Sequence, residues 1–160
     1  MRRAASSSIF LSILLLGAVA AADPIIGERA PPLSGVTLGD GVVLVDFFAT
    51  WCGPCHEAMA ALTDIAARRG VALVVVDVGE PKERVDAWFA AHPLPVGARV
   101  VLDPNAEASH RWGQRRYPTT FVLGGGTIRH INRGFGPGYP RRLDGWVAAE
   151  LARPAPDGAR

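Results

Sequence analysis

A strand pattern that leads into a cysteine pair and then into a helix pattern constrains the fold more than any other feature. Residues 42–48 (VVLVDFF) form an almost continuous apolar and β-branched run, which is typical of a strand buried on both faces. Residues 51–55 (WCGPC) follow, and from residue 54 to 69 the apolar side chains recur on one helical face until Gly70. The sequence therefore predicts a strand–turn–helix unit with both cysteines at the amino end of the helix.

Strand and helix patterns alternate along the rest of the chain. We expect strands over residues 71–78 and 99–102, a helix from 81 to 92, a short helix from 103–105 through 112, a hairpin of 119–123 and 127–132, and a last helix over 140–151. Residues 36–38 are a candidate for a further short strand. This order predicts an α/β fold with a mixed central sheet flanked by helices, and we find no sign of a repeat or a second domain.

The first 22 residues have the pattern of a secretory signal peptide. Arg2 and Arg3 precede an apolar run that ends in small residues at positions 20–22. The run is shorter than the roughly 20 apolar residues of a spanning helix, so we expect cleavage near Ala22 and export to the periplasm. A retained membrane anchor formed by residues 9–22 is the alternative. Residues 23–152 would then form the domain and residues 153–160 a flexible tail.

The charge balance argues against a nucleic-acid partner. Residues 1–22 contain two of the 17 basic residues and none of the 15 acidic ones, so their removal leaves a net charge of zero with histidine neutral. A nucleic-acid-binding domain would instead carry a concentrated excess of Lys and Arg.

Cys52 and Cys55 are the only cysteines of the chain. A disulfide that closes so short a loop adds little stability, so redox chemistry, haem attachment or metal binding explains the pair better. At a helix amino terminus, free N–H groups and the helix dipole favour a thiolate. We therefore interpret Cys52 as the nucleophile and Cys55, one turn further along, as the thiol that resolves a mixed disulfide. Gly53 and Pro54 allow the tight turn into the helix.

Two further positions are candidates for the site. Asp46 interrupts the apolar strand, and a carboxylic acid buried there can stay protonated and exchange a proton with the resolving thiol. Pro118, between Tyr117 and Thr119, forms either a plain turn or a cis-proline. The cis form would bring its backbone beside the cysteines and offer an edge to an extended substrate. Trp51 adjoins the nucleophile and would shield it or contact partners.

Several segments together resemble a known family. Residues 45–55 (VDFFATWCGPC) resemble the active-site segment of thioredoxins, and residues 117–121 (YPTTF) resemble their cis-proline segment. Residues 26–31 (IGERAP), the helix around 82–92 and residues 101–105 (VLDPN) are similar to the TlpA/ResA-like branch of exported thiol–disulfide oxidoreductases. The resemblance covers residues 25–150 and implies a thioredoxin fold with an amino-terminal extension and an extra helix.

The resemblance also implies a function. It implies a protein-disulfide reductase or exchange catalyst with no cofactor beyond the Cys52–Cys55 disulfide, recharged by a membrane electron donor of the DsbD/CcdA kind. Cytochrome c maturation is the best-known role in that branch, and we expect a monomer. The residues expected to contact substrate are Trp51, Gly53, Pro54, Tyr117 and Thr119. The Gly-Pro dipeptide between the cysteines resembles that of reducing thioredoxins, whereas strongly oxidising relatives have Pro-His at this place.

Three positions depart from the related patterns. Ala60 stands where thioredoxins carry a proline that kinks the helix, which predicts a straighter helix here. Thioredoxins place a lysine near the buried acid, but Lys82, in the second helix, is the only lysine of this chain. Many members of the exported branch have asparagine where this chain has Asp46. As a separate alternative, a peroxidase on this fold would have Thr or Ser three residues before the nucleophile, where this chain has Ala49.

Other functions also fit parts of the sequence. Residues 52–56 (CGPCH) match the attachment pattern of c-type haem, with His92, His110 or His130 as a second axial ligand. A zinc site could use both cysteines and a remote histidine, although structural sites normally have four ligands. The chain could also be a disulfide oxidant, or an interaction protein whose disulfide is inert.

Overall fold

The computed structural model describes residues 24–154, so the predicted signal peptide and most of the predicted tail lie outside the described residues. Nine elements follow one another: β1 (Val42–Phe48), α1 (Gly53–Arg69), β2 (Ala72–Val78), α2 (Lys82–Ala91), β3 (Arg99–Asp103), α3 (Glu107–Arg111), β4 (Thr119–Gly124), β5 (Thr127–Arg133) and α4 (Tyr139–Leu151). These elements match the sequence-based order, and α2 is the expected extra helix. Within the described part of the chain, no helix is both long and apolar enough to cross a membrane.

The five strands form one mixed sheet in the order β3-β2-β1-β4-β5. Strands β1, β2 and β3 are parallel to one another, whereas β4 is antiparallel to β1 and β5 is antiparallel to β4. Parallel neighbours need a crossover connection, which α1 and α2 supply, and the hairpin joins β4 to β5. The expected mixed central sheet flanked by helices is confirmed, and β1, the strand that leads into the cysteines, lies at its centre.

Helices cover both faces of the sheet, so β1 has two different environments. On one face, Leu44 and Phe48 pack in a cluster with Cys55 and with residues of α1 and α4. On the other face, Phe47 packs against Trp112, with their ring centroids 5.7 Å apart. Side chains alternate along a strand, so Asp46 shares the face of Leu44 and Phe48 and points towards the cysteine-bearing helix.

The amino-terminal extension pairs with the far edge of the sheet. The backbone N–H groups of Gly27 and Ala30 donate to the carbonyls of Ile128 and Gly126 at 2.8 and 2.9 Å, and Ile128 donates to Glu28 at 2.8 Å. The extension therefore occupies hydrogen-bonding groups of β5 that would otherwise be exposed at an edge.

The prediction of a strand over residues 36–38 was wrong. This region has a single bridge between Leu33 and Val36, and Gly35 adopts a φ of 70° in the turn between them. The chain thus reverses direction just before this region, and residues 37 and 38 belong to no strand.

The short helix α3 begins later than predicted. Ala106 adopts a left-handed conformation with φ of 57°, so the segment from 104 to 106 turns before the helix starts. The Asp103 carboxylate then accepts the N–H groups of Ala108 and Ser109 at 3.0 and 2.8 Å. These bonds satisfy donors that the first turn of a helix leaves free.

Candidate active site

Cys52 and Cys55 form a disulfide where β1 delivers the chain to α1, with their Cα atoms 5.2 Å apart. Cys52 retains 5% of its surface exposed and Cys55 none. The backbone N–H of Cys55 donates to Cys52 Sγ at 3.2 Å. A thiolate arriving from solvent therefore meets Cys52, and Cys55 lies behind it.

The local charge distribution favours a negative sulfur at position 52. Cys52 caps the amino terminus of the 17-residue helix α1, and the first turn of that helix contains no acidic residue. Pro54 lies in the first turn, where its missing N–H costs no hydrogen bond. The dipole and the free N–H groups of the first turn stabilise an anion at this place. α1 continues without a break through Ala60, as expected from the absence of the proline.

The loop before Cys52 is held through Thr50. Glu80, in the loop after β2, accepts the backbone N–H of Thr50 at 2.5 Å and its hydroxyl at 2.6 Å. His56 Nε2 lies 2.8 Å from the Thr50 carbonyl oxygen, so this nitrogen carries the proton and donates it. All three polar groups of Thr50 are therefore bound, which fixes the approach of the chain to the nucleophile.

The sequence analysis did not identify Thr50 or Glu80 as functional. The available signal was topological: Glu80 follows the carboxyl end of β2, and parallel strands bring their carboxyl ends to the same edge of a sheet. An acid at that position would therefore lie near the end of β1.

His56 packs against aromatic rings as well as binding Thr50. Its ring centroid lies 6.0 Å from that of Phe48 and 5.3 Å from that of Trp88 on α2, and the ring of His92 also stacks on Trp88, at 4.1 Å. The last position of the haem-attachment pattern is thus part of the loop anchor. Among residues 24–154, no three His, Cys, Asp or Glu side chains come together as a metal site would require.

Replacing His56 by Phe should keep the ring packing and remove the donor. We expect a loss of about 1 kcal/mol or less in the free energy of unfolding, since the bond is exposed, and a severalfold slower alkylation of reduced Cys52. Urea denaturation and iodoacetamide kinetics measure the two effects. His56→Gln, which keeps an N–H donor, is the control and should lie closer to the wild type. Equal behaviour of the wild type and His56→Phe would contradict the anchoring role.

Asp46 is fully buried at the centre of the sheet. Its Oδ1 accepts the hydroxyl of Thr120 at 2.6 Å, and within the described chain its Oδ2 has no hydrogen-bond partner. Burial outweighs the Thr120 hydrogen bond and raises the pKa of Asp46 to about 7. The hydrogen-bond partner of Asp46 is thus a neutral hydroxyl, and Lys82 pairs with Asp86 on α2.

A second hydroxyl extends this arrangement. The Thr120 oxygen lies 2.8 Å from the hydroxyl of Tyr139, which is itself fully buried. Because Thr120 gives its proton to Asp46, Tyr139 must donate to Thr120. The two hydroxyls orient the carboxyl group, and the acid remains able to take up or release one proton near neutral pH.

The Tyr117–Pro118 peptide bond is cis. The Pro118 carbonyl accepts the N–H of Gly134 at 2.7 Å, and the hydroxyl of Thr119 donates to the Arg116 carbonyl at 2.5 Å. Thr119 lies opposite the end of β1 in the sheet and its side chain is buried, so it stabilises the turn.

Two aromatic rings border the cysteine pair. Trp51 is 64% exposed, and its ring lies edge-to-face with that of the half-buried Tyr117, with centroids 5.2 Å apart. Gly53 and Pro54 are also exposed beside Cys52. Four of the five positions predicted to contact substrate therefore lie on one exposed rim, and Thr119 lies beneath it.

This arrangement can support thiol–disulfide exchange. It combines one accessible sulfur at a helix terminus, a second sulfur within bonding distance and a buried acid on the same face of the sheet. These three features provide, in that order, a nucleophile, a resolving thiol and a proton acceptor.

Comparison with known proteins gives consistent matches. The chain matches the AhpC/TSA family over residues 32–131, more than half of its length. It is 32% identical over 122 residues to a thiol:disulfide interchange protein DsbE homolog of Paracoccus denitrificans, which covers 68% of this chain and 66% of the relative. It is 33% identical over 88 residues to the thiol-disulfide oxidoreductase ResA of Geobacillus thermodenitrificans, which covers 53% of this chain and 49% of the relative.

A solved structure agrees with these matches. A Chlorobium tepidum protein assigned as a thiol:disulfide interchange protein DsbE superposes with a TM-score of 0.72 at 25% identity, covering 81% of this chain and all of that one. The chain spans about half to two thirds of the length of the two curated relatives.

Proposed function

Because the chain belongs to the AhpC/TSA family of the thioredoxin superfamily, we propose that it is a thiol–disulfide oxidoreductase that reduces or exchanges disulfides in exported proteins. The observation that carries this proposal is the Cys52–Cys55 disulfide at the amino terminus of α1, with Cys52 on the solvent side. The relatives named as thiol–disulfide oxidoreductases support the same activity.

In the proposed mechanism each residue carries out one step. The Cys52 thiolate attacks a sulfur of the substrate disulfide, forming a mixed disulfide and releasing the first substrate thiolate. Cys55 then loses its proton to Asp46 and attacks Cys52 Sγ, which releases the second substrate thiolate and closes the Cys52–Cys55 disulfide. The protein loses two electrons and the substrate gains them, and the released thiolates take up two protons.

The direction of electron flow is proposed to be reduction of the substrate. Gly53-Pro54 between the cysteines supports this direction through its resemblance to reducing thioredoxins. Strong oxidants of this fold require a specially stabilised reduced form.

The assay for this proposal is reduction of insulin by dithiothreitol. We expect a marked acceleration by catalytic amounts of the protein, and a reduction potential below about −200 mV in equilibrium with glutathione. The control is the same protein reduced and alkylated at both cysteines. No acceleration would contradict the proposed activity, and a potential near about −120 mV would assign an oxidant instead.

Peroxide reduction and haem binding are less well supported by the site. Ala49, three residues before Cys52, is fully buried and offers no hydroxyl to a peroxide. In the proposed mechanism both sulfur atoms take part in disulfide exchange, and His56 holds the loop through Thr50. The reaction therefore needs no cofactor. We expect no peroxide turnover, and no Soret band after coexpression with haem-attachment machinery.

We further propose that the protein works in the periplasm as a monomer and is recharged by a membrane electron donor of the DsbD/CcdA kind. The charged, apolar and small-residue segments of residues 1–22 support export. A role in cytochrome c maturation is the specific form of this proposal. Fractionation of cells, with sequencing of the amino terminus, tests the location.

A further inference from the structure

A second buried carboxyl group, that of Asp77, takes no part in the steps above. Asp77 lies near the carboxyl end of β2, beside Phe48 of β1, and is 1% exposed. Neither of its oxygens receives a hydrogen bond from a donor in residues 24–154. A buried carboxylate without a donor is costly, whereas a protonated carboxyl group can itself donate.

The acceptor for such a proton is Glu80. The side chains of Asp77 and Glu80 lie within hydrogen-bonding reach of each other. Glu80 is the residue that accepts both donors of Thr50, and Arg84 of α2 lies 3.6 Å from its Oε1. Each carboxylate oxygen can accept two hydrogen bonds, so Glu80 can accept one more.

Two other ionisable groups face this cluster. Tyr117, from the segment before β4, is close enough for its pKa to be raised by burial and then by Asp77, Asp103 and Glu80. Asp103, at the end of β3, is already satisfied by two backbone N–H groups of α3. The guanidinium of Arg84 lies on the Glu80 side of the pair.

We propose that Asp77 is a positioning residue that carries a proton and donates it to Glu80, so that Glu80 keeps both oxygens on Thr50 and holds the loop that presents Cys52. This inference rests on the proposed function only in taking Cys52 as the attacking thiol. Asp77 acts through Glu80 and Thr50 and does not touch the reacting sulfur atoms.

The protonation states of the pair fit this arrangement. Burial, and then the neighbouring Glu80, raise the pKa of Asp77 to about 8. Burial would also raise the pKa of Glu80, but the hydrogen bonds from Thr50 and Asp77 and the charge of Arg84 outweigh it and lower that pKa. Asp77 therefore keeps its proton at neutral pH and loses it above about pH 8, where two adjacent carboxylates repel each other and the hold on Thr50 weakens.

The test compares Asp77→Asn and Asp77→Leu with the wild-type full chain in its reduced form. The readout is the rate of Cys52 alkylation by iodoacetamide from about pH 6 to about pH 9.5, divided by the thiolate fraction from absorbance at about 240 nm. We expect Asp77→Leu to be roughly tenfold slower at pH 7, since it removes the donor to a charged acceptor. Asp77→Asn should stay within about twofold of the wild type at pH 7. The normalised alkylation rate of the wild type should decline above about pH 8, and that of Asp77→Asn should not.

Asp86→Asn is the control, because Asp86 is an exposed carboxylate on α2 and should leave the profile unchanged. An unchanged rate in Asp77→Leu, or a pH profile of Asp77→Asn identical to that of the wild type, would overturn the inference. If Asp77→Leu does not fold, the pH profile of Asp77→Asn alone decides. If Cys52 of the wild type resisted alkylation, that result would instead contradict the proposed function itself.

Discussion

Replacing Cys52 by serine is expected to lower catalysed disulfide reduction by about a thousandfold or more, to the rate of dithiothreitol alone. A serine hydroxyl is almost entirely protonated near neutral pH and does not attack sulfur, even at a helix terminus that favours an anion. The insulin assay measures the loss. Circular dichroism should show the fold unchanged, because the pair closes a loop of only four residues.

Cys55→Ser is the matched variant for this experiment, and it should fail at a different step. Cys52 would still attack, but nothing behind it could release the substrate, so the mixed disulfide should accumulate. We expect a covalent complex in non-reducing gels that dithiothreitol dissolves, and none with Cys52→Ser, since Cys55 is fully buried. A complex that forms through Cys55 in the Cys52→Ser variant would reverse the assignment of the two roles.

The parts of the site that lie close together in the sequence could be predicted from it. The run of residues 42–48 has the composition of a doubly buried strand and the helix after it has a clear apolar stripe, so the cysteines had to lie at their junction. Asp46 stood out because a polar residue in such a strand is buried whichever face it takes. Pro118 could be identified because a proline that opens a strand permits few conformations.

Contacts between distant segments were not predictable in the same way. Thr50 and Glu80 are 30 residues apart, and their hydrogen bonds depend on the register between β1 and β2 and on the path of the loop after β2. Neither is encoded in a local pattern. The contact between Asp77 and Glu80 has the same origin, since the sequence presents them only as two acids at the end of a strand.

The pairing of the amino-terminal extension could not be predicted from the sequence for a different reason. The sequence placed a strand at residues 36–38 because of their apolar content, whereas the chain pairs with β5 around residues 27–30, where no strand pattern exists. Backbone groups make this pairing, and side-chain periodicity carries little information about it.

Asp46→Asn is expected to stabilise the protein at neutral pH by about 2–4 kcal/mol. The pKa of Asp46 is about 7 in the folded protein, against 3.8 for an aspartate exposed to solvent, as in the unfolded chain. The unfolded chain therefore releases the proton first as pH rises, so the wild-type free energy of unfolding falls between about pH 4 and pH 7 and levels off above. A neutral amide of the same shape removes this fall.

The measurement is urea denaturation of both proteins at several pH values. The two free energies of unfolding should converge near about pH 4 and differ most at and above about pH 7. Asp144→Asn provides a control of opposite sign, because hydrogen bonding and charge from Arg69 lower the pKa of Asp144 and that substitution should destabilise at neutral pH. Equal pH dependence of the wild type and Asp46→Asn would contradict a buried, titrating acid.

The same substitution should impair catalysis while it stabilises the fold. Without a carboxylate to take the proton of Cys55, the resolving step should slow by roughly tenfold to a hundredfold, the range typical of general bases. Mixed disulfides should then persist longer in Asp46→Asn than in the wild type, whereas the first attack by Cys52 should keep its rate. Rapid-mixing experiments with a disulfide substrate separate the two steps. A slower first step with an unchanged second would show that Asp46 acts on Cys52 and not on Cys55.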